Sequence, residues 1–395
     1  MSATDPIVIT SIARTPMGGM LGVLTPFSAP QLGAAAIKAA VERSGLKGAD
    51  VDEVIMGCVL PAGLGQAPAR QAARGAGLPD ATSATTINKM CGSGMKAIML
   101  AHDLLKAGTN KVMVAGGMES MTNAPHLLPK ARSGYRYGHT TVYDHMALDG
   151  LEDAYEKGTA MGVFAERTVE KYGFTRKDQD DFSIASLARA KKANEDGSFA
   201  FEIVPLESQG KTGVEMIDKD EAPFKARPDK IPTLKPAFKK DGTITAANAS
   251  SISDGAAAVV MMSQSEAVKR GIKPLAKIVG HSTHARLPGE FTIAPVYAIK
   301  TLLEKTGWQV KDVDLWEINE AFAVVAMAAM KEHGLSHDKV NVHGGATALG
   351  HPIGASGARI TATLVAALKK TGGKRGIATL CIGGGEAVAV AIEML

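Results

Sequence analysis

A chain of 395 residues, 45% hydrophobic and 21% charged, has room for two or three domains with well-buried cores, and its 43 glycines favour an α/β architecture rich in tight turns. Its three cysteines, none in a Cys-x-x-Cys arrangement, argue against a disulfide framework or a zinc site and suit a reducing compartment. The net charge of +4 is too small to imply a nucleic-acid partner by itself.

Residues 1–6 carry no basic region ahead of an apolar stretch, so no secretory or transit peptide is expected, and Ile7-Val-Ile9 reads as the first strand. Residues 36–57 predict a helix with a glycine stop, then a strand. This segment aligns without gaps on residues 298–319, with Ala, Ile, Lys, Glu, Gly and Asp-Val-Asp recurring in step. A second pair follows. Ser93-Gly94 opens an amphipathic helix ending near Gly108, then a strand at 112–115 and Gly116-Gly117; Ser356-Gly357 opens a helix ending at Gly372, then a strand at 377–381 and its glycines. Strand, helix and strand in this order imply parallel pairing within each half.

The chain therefore reads as two similar α/β halves, residues 1–121 plus 251–273 and residues 274–395, with 256–262 a core strand returning to the first. Residues 122–250 form an inserted loop domain, rich in proline, with a helix around 179–194; long irregular stretches of this kind usually serve as a lid or ligand platform. Within it Lys225, Arg227, Lys230, Lys235, Lys239 and Lys240 crowd together, either as a solvated loop face or as a patch meeting a phosphorylated ligand. One aromatic, Phe238, is no stacking series for nucleic acid. The longest apolar run, residues 321–330, falls short of the roughly 18–20 needed to cross a bilayer, so a cytoplasmic protein without a membrane partner is expected.

Cys91, His351 and Cys381 each stand at a glycine-crowded turn: Asn88-Lys-Met-Cys91-Gly-Ser-Gly94, Gly350-His351-Pro-Ile-Gly-Ala-Ser-Gly357 and Cys381-Ile-Gly-Gly-Gly385. Two thiols and an imidazole supply a nucleophile, its activator and a second acid or base, while the glycines let backbone N–H groups approach a substrate. Covalent catalysis on an acyl group is the chemistry such a trio suits. A lone cysteine is ordinarily a small buried hydrophobe, but Cys91 precedes a helix whose N-terminus favours a thiolate. His351, extended by the following Pro352, projects from a strand-to-helix turn as a base. Gly383-Gly384-Gly385 can form an oxyanion hole beside Cys381; the alternative, a phosphate cradle, lacks any accompanying nucleotide-loop pattern. Asn319-Glu320 closes the second repeat's strand, where open α/β sheets place ligands, and helix capping by Asn319 is a compatible role.

Jointly, Ser11-Ile-Ala-Arg-Thr-Pro16, Cys91-Gly-Ser-Gly-Met95, Gly116-Gly-Met-Glu-Ser120, Asn319-Glu-Ala-Phe322, Gly350-His-Pro-Ile-Gly354 and Cys381-Ile-Gly-Gly-Gly385 resemble the thiolase family in order and spacing, across essentially the whole chain. The resemblance implies duplicated α/β halves in a layered α-β-α-β-α core, with the insertion as a coenzyme A platform. It implies an acetyl-CoA C-acetyltransferase activity in which Cys91 attacks a thioester, His351 accepts its proton, and Cys381 removes an α-proton from a second acyl-CoA. His351 and a water held by Asn319 would stabilise one oxyanion, and the amides of Cys91 and Gly383 the other.

The same resemblance assigns Leu151, Met161, Phe238, Ala246, Ser250, Ala321 and Phe322 to the pantetheine channel and Lys225 to the adenine nucleotide. It implies acetyl-CoA, acetoacetyl-CoA and CoA as partners, no resident cofactor or metal, and a homotetramer whose assembly loop would be residues 135–143. Phe291-Thr-Ile-Ala-Pro295 and Gly65-Gln-Ala-Pro-Ala-Arg-Gln71 look most like short-chain, mitochondrial-type members. Two departures stand out: Ala160 precedes Met161-Gly162 where biosynthetic members usually have His, and Pro223-Phe224 occupies the region of a potassium-holding tyrosine. They leave potassium activation and the acyl-pocket shape open. The alternatives are a broader 3-ketoacyl-CoA thiolase of β-oxidation, a ketosynthase, which usually places His or Asn where Cys381 stands, and a catalytically silent acyl-CoA-binding protein.

Overall fold

The computed structural model describes residues 5–210 and 213–395. In the first half, strands β1 (Ile7–Arg14), β2 (Glu53–Gly57), β3 (Ser83–Ile87), β4 (Val112–Ser120) and β5 (Ser253–Ser263) lie side by side in the order β3-β2-β4-β5-β1. The second half repeats the order as β7-β8-β9-β6, from β6 (Ala276–Ala285), β7 (Leu315–Ile318), β8 (Arg375–Ile382) and β9 (Glu386–Met394). A parallel bridge from Trp316 to Val340 stands where β3 stands in the first half. Antiparallel pairs Val8 to Lys277 and Ile9 to Ala276 join the two halves edge to edge.

The expected parallel pairings are present, β2 with β4 and β7 with β8. The returning strand β5 inserts antiparallel between β1 and β4, and β9 does the same between β8 and β6. The repeat's aspartates explain why both halves fold alike. Asp52 accepts the amides of Lys111 and Val112 at the start of β4 (2.8 and 2.9 Å), and Asp314 accepts those of Lys374 and Arg375 at the start of β8 (2.8 and 2.9 Å). Asp50 and Asp312 likewise take the amides of Lys47 and Gln309, each closing a single 3-10 turn.

Period-two alternation splits each sheet between two cores. Met113 and Ala115 of β4 face inward while Val112 and Val114 face outward. The inner faces of both sheets pack on α2 (Ser93–Lys106) and α7 (Ile353–Thr371); outside lie α1 (Ala29–Arg43) on the first sheet and α5 (Ala294–Thr306) with α6 (Ala323–His333) on the second. The layers run α-β-α-β-α. Every residue of α7 from Ile353 to Leu368 is buried, as a helix with sheet or helix on all sides must be.

At the crossing of α2 and α7 the two Ser-Gly sequences meet. A Cβ on Gly94 would lie 2.8 Å from the Ala358 amide nitrogen, and one on Gly357 would lie 2.4 Å from that of Met95. These glycines therefore let the first turns of the two central helices touch backbone to backbone, rather than clearing space for a substrate as their neighbourhood suggested. Gly117 serves the same closeness, since its Cβ would fall 2.0 Å from the Gly354 carbonyl oxygen.

Between β4 and β5 the chain holds α3 (Met161–Tyr172) and α4 (Arg176–Glu195) among irregular segments. The predicted helix at 179–194 is thus three residues longer at its start, where Thr175 and Asp178 cap each other. Helix α3 had no distinct signal; Phe164, Ala165 and Val169 gain their core against Ile244 and Ala249 of the insertion and Phe291, Phe322 and Val324 of the second half.

Candidate active site

The glycine-enabled crossing places the residues just ahead of α2 and α7 together. Ahead of α2, the chain makes a tight loop in which Met90 adopts φ 48°. Asn88 Oδ1 accepts the Met90 amide (2.9 Å), and Ser93 Oγ accepts the Lys89 amide (2.8 Å) while donating to the Met90 carbonyl (2.7 Å). A non-glycine residue in this region is strained, and the cross-bracing holds it. The next residue is Cys91. Gly92 is required beside it, since a Cβ there would lie 2.4 Å from Ile382 Cδ1 at the end of β8.

The Cys91 thiol keeps some exposure, along a mostly apolar cleft. Burial pushes it up to about 11, although the amides of Gly383 and Cys91 itself pull the other way; the buried Glu119 carboxyl adds to the rise. The expected helix-stabilised thiolate is therefore not the resting state. Desolvation of a small anion outweighs a half-charge at a helix end.

Ahead of α7, Gly350 takes φ 99° and leaves no room for a Cβ, which would sit 2.1 Å from Ser253 Oγ. His351 follows, buried, with its amide on the Ser251 carbonyl (3.1 Å). Its Nδ1 lies 2.6 Å from Ser356 Oγ, which in turn donates to the Pro352 carbonyl at 2.9 Å. Because that hydroxyl's proton is committed to the carbonyl, its oxygen accepts from Nδ1–H, leaving Nε2 as the free base. Burial, reinforced by the Arg359 guanidinium, lowers His351 to about 3. The resting pair is a neutral thiol and a neutral imidazole.

Asn319 is fully buried behind His351, its Nδ2 3.5 Å from both ring nitrogens, and Arg359 Nη2 donates to its Oδ1 at 3.3 Å. The guanidinium thus points the amide N–H₂ toward the imidazole. Asn319 caps no helix: α6 begins at Ala323 after Phe322. Its neighbour Glu320 is tied to Ser186 (2.8 Å), Asn341 (2.7 Å) and Thr347 (2.6 Å), a structural role that ties α4 to the second half. Ser356 and Arg359 were missed from the sequence. The matching Ser93, which braces the Cys91 loop in the first half, was the available signal.

Cys381 is the penultimate residue of β8, buried, and its thiol is pushed well above its ordinary value by burial and by neighbouring Cys91. The glycines after it form the turn into β9, with Gly384 and Gly385 at φ 92° and 90°. Gly385 is needed for close packing, its Cβ position being 2.6 Å from the carbonyls of Arg286 and Leu287, whereas Gly383 borders open space with Met161 Cε 3.7 Å away.

These residues close one end of a cavity of about 490 Å³. Cys91, His351, Cys381 and Gly383 line it, as do Leu151, Met161, Phe238, Ala246, Ser250, Ala321 and Phe322. Phe238 and Phe291 each pack edge-on to Phe322, at 5.9 and 6.3 Å between centroids, and Gly162 is the seat of Phe238, whose ring would lie 2.3 Å from a Cβ there. Lys225 does not reach this cavity. It borders the adjoining surface depression with Ser251 and Ile252, paired with Glu221, because the short helix Ala222–Lys225 turns its side chain back on itself. Among lining residues not anticipated, Met121, Ile252 and Ile353 come from three separate segments whose apolar character reads as ordinary core.

A deep apolar cleft ending in two thiols, one imidazole and inward-facing amides defines an acyl-transfer site. Residues 7–265 match the family described as Thiolase, N-terminal domain, and residues 272–394 match Thiolase, C-terminal domain. The chain belongs to the thiolase family. It is 50% identical over 392 residues to "Acetyl-CoA acetyltransferase 2" of Arabidopsis thaliana, covering 98% of this chain and 97% of that one. It is 48% identical over 397 residues to "Acetyl-CoA acetyltransferase ERG10, cytosolic" of Gibberella zeae, covering both completely. Among solved structures, the Acat5 thiolase from Ascaris suum in complex with coenzyme A superposes with a TM-score of 0.93 at 43% identity, over 99% of this chain and 100% of that one.

Proposed function

We propose that the protein is an acetyl-CoA C-acetyltransferase, joining two acetyl-CoA into acetoacetyl-CoA and CoA by a reversible Claisen condensation through acyl-Cys91. The observation that carries this reading is the convergence of both thiols and a tautomer-fixed imidazole at the end of one apolar cavity. As Cys91 Sγ attacks the first thioester, His351 Nε2 takes its proton, and the departing CoA thiolate takes the proton of Cys381. The Cys381 thiolate then removes the α-proton of the second acetyl-CoA. The carbanion attacks acyl-Cys91, forming the C–C bond, and the released Cys91 sulfur recovers its proton from His351. The amides of Cys91 and Gly383 stabilise one oxyanion, and His351 with a water on Asn319 the other. Burial that makes the Cys381 thiolate a strong base suits it to a weakly acidic C–H.

Leu151, Met161, Phe238, Ala246, Ser250, Ala321 and Phe322 hold the pantetheine, and Lys225 at the neighbouring depression meets the nucleotide end. Residues 122–250 act as the coenzyme A platform of a cytoplasmic enzyme; the relative named cytosolic supports that location, and no helix among the described residues is long and apolar enough to cross a membrane. The exposed Tyr135, Tyr137 and Tyr143 support a homotetramer built through residues 135–143.

Intact-protein mass spectrometry after mixing with acetyl-CoA tests the chemistry. Cys91→Ala should show no acetyl adduct, and Cys381→Ser should keep the adduct yet lose condensation. An adduct elsewhere than Cys91 would overturn the assignment. Thiolysis of acetoacetyl-CoA faster than of longer 3-ketoacyl-CoAs separates this activity from a broader β-oxidation thiolase.

A further inference from the structure

Away from the cavity, α2 and β6 bring three ligand-type side chains to one point. His102 Nδ1 and His281 Nε2 each lie 2.9 Å from the same oxygen, Oδ1 of Asp103. The two rings meet edge to face, 5.1 Å between centroids. One donor atom from each residue falls within 4.8 Å of the other two. The imidazoles are largely sheltered, at 16% and 18% side-chain exposure, while Asp103 opens to solvent at 55% and provides an entry path.

We propose that His102, Asp103 and His281 bind one divalent transition-metal ion of the zinc, nickel or copper class, clamping α2 of the first half to β6 of the second. Two imidazole nitrogens and one carboxylate oxygen are the donor set that such borderline ions prefer over magnesium or calcium. In the tetrahedral geometry of zinc, metal–donor bonds of about 2.1 Å place donors about 3.4 Å apart, so the two 2.9 Å hydrogen-bonded N···O pairs need open by only about 0.5 Å as the ion replaces their protons. Water fills the remaining positions. On binding, each ring keeps its single proton but moves it to the other nitrogen, His102 to Nε2 and His281 to Nδ1. Lys305, whose Nζ donates to the His281 carbonyl at 3.2 Å, brings a positive charge near the site that tempers cation affinity.

Asp103 and His281 stand 178 positions apart in sequence, so the ion would cross-link the halves near the far end of the helix that presents Cys91. Its expected effect is on stability. The test uses the full chain without a histidine tag, stripped with chelator and titrated with ZnCl₂ by calorimetry and thermal melting. Wild type should bind one equivalent at this site and melt higher, and His281→Gln and His102→Gln should each bind at least about tenfold more weakly with the melting gain lost. Both variants should keep wild-type thiolysis without metal, which shows that they fold. Cobalt(II) identifies the ligands: ligand-field bands without sulfur charge transfer are expected, and a thiolate charge-transfer band would show that the cysteines hold the ion instead. Binding unchanged in both variants, or no saturable binding in wild type, would also overturn the proposal.

Discussion

Replacing Gly357 by alanine perturbs the contact on which the active site is built. The new Cβ would lie 2.4 Å from the Met95 nitrogen and 2.7 Å from Met95 Cβ, whereas ordinary contact begins at 3.4 Å. Helices α2 and α7 must then separate by about 1 Å, a strain of about 1–3 kcal/mol for overpacking of a tight interior. Cys91 precedes Met95 by four residues and His351 precedes Gly357 by six, so the separation falls directly between nucleophile and base. A misplacement of about 1 Å costs roughly 100-fold in rate. Rapid-quench measurement of Cys91 acetylation should show that loss, with a lowered melting temperature and little change in KM for CoA, whose proposed channel residues lie elsewhere. Gly94→Ala should be milder, because its Cβ meets the Ala358 nitrogen at 2.8 Å and needs only about 0.6 Å of relief. A Gly357→Ala enzyme that melts lower but acylates at the wild-type rate would refute the link between helix crossing and catalytic geometry.

The pH dependence of Cys91 alkylation by iodoacetamide in the free enzyme follows from its raised pKa. With the thiol at about 11, the thiolate fraction at pH 7 is about 10⁻⁴ and grows tenfold per pH unit, so the rate should climb about 1000-fold between pH 7 and 10 without levelling. A plateau already at pH 8.5 would mean a thiolate-favouring site. Ser356→Ala removes the acceptor that fixes the His351 tautomer and should lower kcat about tenfold, equivalent to about 1–2 kcal/mol, while KM for acetyl-CoA stays within about twofold. An unchanged kcat would show that another group orients the ring.

Much of the architecture was legible because its determinants are local. The Asp-Val-Asp repeat marks a turn in both halves, since Asp50 and Asp312 each capture the amide three residues back, whereas Asp52 and Asp314 reach amides about sixty residues away at the starts of β4 and β8. The strands at 112–115 and 256–262 announced themselves by apolar runs. Helix α3 did not, because its packing partners, Phe238, Ile244, Phe291 and Phe322 among them, are all distant in sequence. Lys225 sits at the margin of the cavity for a similar reason: its side chain is held by Glu221, and a sequence match does not encode that rotamer.

By itself, the sequence singled out Cys91, His351 and Cys381 as nucleophilic or basic groups at turns, because that is a property of residue type and neighbours. Tertiary structure alone decided their protonation and the meaning of their glycines. The helix end beside Cys91 argued for a thiolate, yet the charge of a thiol or imidazole depends on how much water the rest of the chain removes, and here burial holds both groups neutral. Likewise, the glycines around Cys91 and His351 read as letting backbone amides approach a substrate, yet at Gly94 and Gly357 it is the other central helix that leaves no space for a Cβ.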